Sequence, residues 1–211
     1  MATLKVTKTV KSLIFLLVLS ILSACAGTPA VPTATVTVPP PSPTPDQAVL
    51  LPELTQAIRD HKTDDVKQIL DSGVDVNVIQ SFMQLTPLAL ASYEGDTAIV
   101  TLLLDYGADI AMYNKNQYGT TALIEAAQRG QTDVVNLLLE RGADINQRDR
   151  AGDPALNWAT YYGHIDVVRL LIEQKADLTV VGSGGGTALK TAIAQKHKDI
   201  EQLLRDAGAT E

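Results

Sequence analysis

Apolar and polar residues are arranged in three different ways along the chain. From Ser12 to Leu22 nearly every residue is apolar. Residues 26–46 show no apolar periodicity and are dominated by Pro and Thr. From residue 47 onward, Leu, Ala, Val and Ile recur at spacings of three and four, which predicts amphipathic helices. The chain therefore divides into an apolar N-terminal segment, a proline-rich connector and a helical region.

The helical region repeats itself at a fixed interval. An alanine stands at positions 57, 91, 126, 159 and 192. Sixteen residues after each alanine comes a short segment of the GADIN kind, beginning at positions 73, 107, 142, 175 and 208. The steps are 34, 35, 33 and 33 residues. A period near 33 indicates a stacked supersecondary unit that occurs five times, because no single unit of this size buries its apolar face alone.

Each unit is predicted to form two helices. In the third unit Leu123, Ala126 and Ala127 predict a first helix whose small residues permit close approach of its neighbours. In the fourth unit Val167, Leu170 and Leu171 predict a second helix. An acidic residue falls in the first turn of the second helix, where the helix dipole favours negative charge. A glycine falls just past its end, where a left-handed residue closes a helix, and Lys175 occupies that glycine position once.

These motifs resemble those of ankyrin repeats. Thr86-Pro87-Leu88 matches the start of the ankyrin signature. Residues 163–171 (GHIDVVRLL) match nearly all of its middle part, and residues 142–146 (GADIN) match its end. The resemblance covers residues 47–211, as repeats at about 49–80, 81–114, 115–147, 148–180 and 181–211. It implies an all-α solenoid of five helix-turn-helix repeats with short β-turn fingers.

The N-terminal segment has the features of an export signal. Three lysines and no acid precede the apolar run, which is shorter than the roughly 20 residues of a transmembrane helix. The sequence from Leu22 to Cys25 (LSAC) resembles the lipobox of bacterial lipoproteins, and Cys25 is the only cysteine. The resemblance implies cleavage after residue 24 and acylation of Cys25, whereas a plain signal peptide or an uncleaved anchor is the alternative. In bacterial lipoproteins an aspartate directly after the cysteine often retains the protein in the inner membrane. This chain has Ala26 there, which favours localisation to the outer membrane where the host has one.

Residues 25–46 follow as an acylated cysteine and a tether. Seven of the ten prolines lie between Pro29 and Pro45, a density that excludes helix and favours extended polyproline-like conformers. Removing residues 1–24 takes away three lysines and no acid, which lowers the formal net charge from −7 to −10. Such an acidic chain is unsuited to nucleic acid and would need the lipid to hold it at a membrane.

Candidate catalytic and ligand sites have simpler interpretations as parts of the scaffold. Residues 182–186 (GSGGG) lack the spacing and the lysine of a phosphate-binding loop and fall in the turn between repeats four and five. His164 and His197 share one repeat position, which favours a structural role over a metal pair. An array of stacked helix pairs also offers no deep pocket. We therefore expect no enzyme activity, no catalytic residue, no metal and no cofactor.

The aromatic residues are the most informative feature. In ankyrin proteins, partners usually meet the turn tips and the exposed positions of the first helices on the concave side. Carried over position by position, the resemblance implies these partner-binding residues: Phe82, Met83, Tyr93, Glu94, Tyr118, Arg129, Arg150, Asp153, Trp158, Tyr161 and Tyr162. Aromatic side chains grouped on an exposed face are typical of interface hot spots, and packing between repeats is the alternative role.

The sequence thus predicts a monomeric, membrane-anchored, extracytoplasmic module that binds a protein on its concave face. The net charge mildly favours a basic partner surface. An inhibitory or immunity-type lipoprotein that blocks one toxin or enzyme is the main alternative, and a passive structural protein of the envelope is another.

Overall fold

In a computed structural model of the protein, the described residues are 47–79 and 84–210. They form ten helices: α1 (Gln47–Arg59), α2 (Thr63–Asp71), α3 (Pro87–Glu94), α4 (Thr97–Asp105), α5 (Ala122–Gln128), α6 (Thr132–Glu140), α7 (Ala155–Tyr162), α8 (Ile165–Glu173), α9 (Ala188–Gln195) and α10 (Lys198–Asp206). No strand occurs in these residues, only an isolated antiparallel bridge between Arg148 and Pro154. The predicted all-α repeat solenoid is confirmed. The predicted signal segment, Cys25 and the predicted tether lie outside the described residues, as do Phe82 and Met83.

The helices form two rows. The first helices of the repeats (α1, α3, α5, α7, α9) pack side by side, and the second helices form a parallel row behind them. The repeated alanines explain this spacing, since Ala91, Ala126, Ala159 and Ala192 are fully buried between neighbouring first helices. Leu and Val side chains of both rows, such as Leu123, fill the space between them. A single apolar core therefore runs through all five repeats.

Threonines determine where most first helices begin. The Oγ1 atom of Thr86 accepts a hydrogen bond from the backbone N–H of Ala89 at 3.1 Å. Thr121 and Thr187 cap α5 and α9 in the same way. Each cap satisfies a backbone donor that the first turn leaves unpaired. Pro154 replaces the threonine at the start of α7, which has no side-chain cap.

The turn after each of the first four second helices is stabilised by its aspartate. Asp144 Oδ1 accepts a hydrogen bond from the backbone N–H of Asn146, two residues further on, at 2.9 Å. Asn146 in turn accepts from the backbone N–H of Asp177 in the next repeat, also at 2.9 Å. The aspartate of the GADIN motif thus shapes its own turn, and the asparagine joins that turn to the following one.

Turns between the repeats form fingers that are linked by backbone hydrogen bonds. The N–H of Lys115 donates to the carbonyl of Gln84 at 2.8 Å, and the N–H of Arg150 donates to the carbonyl of Tyr118 at 2.8 Å. These bonds align the fingers beside the row of first helices. Within residues 47–79 and 84–210, none of the helices combines the length and the apolar character needed to cross a bilayer.

Candidate functional site

Four aromatic rings form one contiguous cluster at the third and fourth repeats. Trp158 lies in α7, Tyr161 and Tyr162 lie at its end, and Tyr118 projects from the finger that precedes α5. The centroid of Trp158 is 5.5 Å from that of Tyr118 and 6.2 Å from that of Tyr161, both in edge contacts. Trp158 and Tyr162 are nearly parallel, at 6.0 Å and 16°. The sequence prediction named these four residues, and the structure brings them together.

The outer rings of this cluster remain open to solvent. Tyr118, Tyr161 and Tyr162 are 44%, 48% and 50% exposed, whereas Trp158 is half-buried. Burial is the main cause that raises the pKa of Tyr162, followed by the neighbouring tyrosines and Glu125, so this phenol is neutral in the physiological pH range. The cluster thus presents three amphipathic rings around a partly covered indole, an arrangement suited to contact with another molecule.

Trp158 is held in place by the finger of its own repeat. Its indole Nε1 donates to Asp149 Oδ2 at 2.8 Å. The other carboxylate oxygen of Asp149 accepts from the backbone N–H groups of Ala151 and Asp153, each at 2.9 Å. Asp149 is itself buried. Its carboxylate therefore couples the shape of the finger to the orientation of the indole.

Tyr93 joins the four-ring cluster through a second cavity. The guanidinium of Arg129 lies over the Tyr93 ring at 4.5 Å from its centroid, a cation–π contact. A cavity of about 410 Å³ is lined by both of these residues together with Tyr162, Gln128 and His164. We call the continuous surface made by Tyr93, Tyr118, Trp158, Tyr161 and Tyr162 the aromatic stripe. It crosses the second, third and fourth repeats.

A groove of about 540 Å³ opens between α7 and α9 beside the aromatic stripe. One wall consists of Tyr118, Trp158, Tyr161 and Tyr162. The opposite wall consists of the glycine-rich finger and first helix of the fifth repeat: Ser183, Gly184, Gly185, Gly186, Lys190, Thr191, Ala194 and Gln195. This volume lies within the range of small-molecule sites, roughly 300–1,000 Å³. The sequence analysis expected no deep pocket, and this groove is an open one at the surface, between neighbouring first helices.

Asp153 positions the far wall of this groove. One of its oxygens accepts from Asn157 Nδ2 at 3.0 Å, and the other accepts from the backbone N–H and the hydroxyl of Ser183 at 3.1 and 2.7 Å. Gly182 allows this contact, since a Cβ on it would lie 1.6 Å from the Asp153 carboxylate. Asp153 was predicted as a partner contact; it lines the groove, and its carboxylate also holds the finger of the next repeat.

The other predicted contact residues lie at the edges of the stripe. Arg150 is exposed, covers Gly119 with its aliphatic stem and donates from Nη1 to the carbonyl of Asn116 at 3.4 Å. Glu94 is half-buried at the end of α3. The groove residues of the fifth repeat were not among the predicted ones. Two sequence signals mark them: the glycine-rich residues 182–186, which the sequence analysis assigned to a turn, and Lys190, a basic residue in the first turn of a helix.

A buried polar network lies in the third repeat. Glu125 is 5% exposed, and its Oε1 accepts from the Thr120 hydroxyl, from Asn116 Nδ2 at 3.1 Å and from Asn114 Nδ2 at 3.5 Å. Burial raises the pKa of the Glu125 carboxyl, while these three hydrogen bonds lower it by a smaller amount. The network connects the base of the finger to α5.

The histidines join neighbouring repeats. His164 Nε2 donates to the carbonyl of Gln128 at 2.9 Å, and His197 Nε2 donates to the carbonyl of Tyr161 at 3.3 Å. Each ring lies beside the left-handed glycine that ends the preceding first helix, Gly130 or Gly163, where a Cβ would approach the ring within 3.0 Å. Among the described residues, no group of three or more His, Cys, Asp or Glu side chains is arranged to hold a metal.

The fold and this surface define a repeat solenoid that carries a cluster of exposed aromatic side chains. The family model described as "Ankyrin repeats (3 copies)" matches residues 54–149 and 147–210. These stretches cover well over half of the chain, which belongs to the ankyrin-repeat family. Ankyrin repeats are typically protein–protein interaction modules rather than catalysts. No curated protein matches the chain significantly.

Proposed function

We propose that this ankyrin-repeat protein is anchored to the outer side of a bacterial membrane and captures a protein partner on the aromatic stripe. The observation that carries the proposal is the stripe itself. It joins five aromatic side chains across three repeats, and three of them are at least 44% exposed. A contiguous exposed aromatic surface is typical of interaction hot spots, since Tyr and Trp bury a large area with few rotatable bonds.

Other repeats of this chain form the same helix without rings at the positions of Tyr161 and Tyr162. The positions that Tyr161 and Tyr162 occupy in repeat four are Gln128 and Arg129 in repeat three, and Ala194 and Gln195 in repeat five. The same helical geometry is therefore made with small or polar side chains at these two positions. A side chain that the fold can replace, and that stays open to solvent, is best explained by contact with another molecule.

The anchor in this proposal is a diacylglycerol on Cys25, supported by the sequence LSAC at residues 22–25. The proline-rich tether would hold the repeats away from the bilayer. At about 3.1 Å per residue, its twenty-one residues would reach roughly 60 Å when fully extended. Lipid chains give stable attachment without help from the negatively charged protein surface.

Crosslinking in the native envelope tests the interaction surface. The variant Tyr93→Ala, Tyr161→Ala, Tyr162→Ala is compared with the unsubstituted protein by mass spectrometry of crosslinked partners. Tyr113→Ala is the matched control, because Tyr113 is 47% exposed and lines neither cavity. We expect the triple variant to lose the partner with little loss of melting temperature and the control to keep it. Unchanged capture by the triple variant, or loss of its fold, would contradict the proposal.

Membrane fractionation tests the anchor separately. The Cys25→Ser variant should leave the membrane pellet, or remain as the uncleaved precursor, and should lack the mass of the acyl chains. A Cys25→Ser protein that stays in the pellet with the mass of the unsubstituted protein would show that lipid on Cys25 does not hold it.

A further inference from the structure

The residues that line the groove between α7 and α9 indicate which chemical groups the partner places there. This inference rests on the proposed function. We infer that this groove accepts an acidic segment of the partner, in which a carboxylate lies next to an aromatic or other large apolar side chain. The aromatic wall would bury the apolar side chain, and Lys190 on the opposite wall would pair with the carboxylate.

Lys190 is an unpaired cation in an unfavourable local position. It is exposed, and no carboxylate among residues 47–79 and 84–210 lies within salt-bridge distance of it. It occupies the third position of α9, after the N-cap Thr187. The helix dipole disfavours a positive charge there, and a glutamate would complete a capping box with Thr187. The helix dipole disfavours this lysine, yet it lies in the wall of a groove. This combination indicates a role in binding.

The only other charged residue in the groove lining is Asp153. Both of its oxygens already accept hydrogen bonds, one from Asn157 and the other twice from Ser183. Its carboxylate is therefore committed to holding the finger of the fifth repeat, and it is a poor receptor for a cation of the partner. Lys190 has no such internal commitment, so an anion is the better complement to the groove.

The charge of the surface around the groove differs from the negative net charge of the whole protein. Many of the acids lie on the second helices, for example Asp133, Asp166 and Asp199 in their first turns. Along the first helices and fingers of repeats three to five, the exposed cations Arg129 and Lys190 border the rings. The preference for a basic partner, which was based on net charge, is therefore replaced for this groove by a preference for an acidic one.

Three matched peptides test the inference with the full-length protein in a nonionic detergent. They are acetyl-Ala-Phe-Asp-Phe-Ala-amide and its twins with Asn or Lys in place of Asp. Trp158 is the only tryptophan of the chain and lies in the groove wall, so its fluorescence reports binding directly. We expect the Asp peptide to bind about two- to fivefold more tightly than the Asn peptide, the range of an exposed ion pair, and the Lys peptide to bind most weakly.

The Lys190→Glu variant should invert this order, with the Lys peptide binding most tightly. It should not harm the fold, because a glutamate is favoured at this helix position. Lys198→Glu is the control, since Lys198 also lies in the first turn of a helix of the same repeat but does not line the groove. It should leave the order unchanged.

Three results would overturn the inference: tighter binding of the Lys peptide to the unsubstituted protein, the same order before and after Lys190→Glu, or no binding of any peptide. Each of these is separable from the proposed function. Partner capture that depends on the aromatic stripe in the crosslinking experiment would stand even if the peptides showed no acidic preference. Conversely, loss of stripe-dependent capture would refute the proposed function whatever the peptides do.

Discussion

Replacing Lys175 with glycine should stabilise the protein. Lys175 follows α8 with a φ of 67°, in the left-handed region that L side chains rarely adopt. At the equivalent position, Gly73, Gly107 and Gly142 have φ values of 88°, 85° and 92°. A Cβ built on these glycines meets no atom within 4 Å. The difference between lysine and glycine at this position therefore lies in backbone conformation rather than in packing.

The magnitude follows from three opposing effects. A side chain in the left-handed region costs about 1–2 kcal/mol. Glycine gives back about 0.5–1 kcal/mol through the greater entropy of its unfolded chain. The lysine charge near the C-terminal end of α8 contributes a further 0.3–1 kcal/mol at low ionic strength, but salt screens it. At high salt the net gain from Lys175→Gly should be about 0.5–1 kcal/mol, or roughly 1–4 °C in melting temperature for a domain of this size.

Urea denaturation followed by circular dichroism measures the gain, provided that the dependence on urea concentration is the same in both proteins. Gly142→Lys is the reciprocal control and should lose a similar amount, since it places a lysine in the same backbone conformation one repeat earlier. A lower free energy of unfolding for Lys175→Gly at high salt would refute the reasoning. Equal stability of Gly142→Lys and the unsubstituted protein would do the same.

Three further substitutions probe the interior. Burial raises the pKa of Glu125 in the folded protein, so the contribution of this carboxyl to stability is complete below its ordinary pKa and is lost as the pH rises through the raised pKa. Glu125→Gln should remove this loss of stability, which urea titrations at a series of pH values would measure. An unchanged pH dependence of the free energy of unfolding would contradict this. Thr160 is fully buried and its hydroxyl has no hydrogen-bond partner among the described residues, so Thr160→Val should raise the free energy of unfolding by about 1 kcal/mol, and a decrease would show that the hydroxyl is satisfied. Asp149→Ala removes the hydrogen-bond acceptor of the Trp158 indole and of two backbone N–H groups. It should lower the free energy of unfolding by about 2–3 kcal/mol and shift the tryptophan fluorescence emission to the red. An unshifted emission would mean that Asp149 does not hold the ring.

The fold was predictable because its causes are local and repeated. The alanines at 126 and 159, and the glycines that end the second helices, recur in one register, and the structure places the alanines in the core and the glycines at positive φ. Each marker depends on contacts within its own repeat or the next one. A pattern of that kind is visible in the sequence without knowledge of the full structure.

The site was predictable only in part, because half of it depends on contacts between repeats. The exposed positions of Tyr161 and Tyr162 follow from helix register alone. The far wall of the groove depends instead on the hydrogen bonds from Ser183 to Asp153, which are thirty residues apart in sequence. The half-buried orientation of Trp158 depends on Asp149, which lies in the finger of the same repeat rather than in the helix. Side-chain contacts of this kind leave no periodic signal in the sequence.

The joints between repeats bear on how such a protein changes in length during evolution. His164 and His197 each bridge to the first helix of the repeat before, beside Gly130 and Gly163, so each of these two joints is made from one glycine and one polar side chain supplied by adjacent units. A tandem duplication of one whole repeat would bring its own copy of both halves of the joint. The array can therefore gain a unit, and with it new surface for a different partner, without a compensating change elsewhere in the gene.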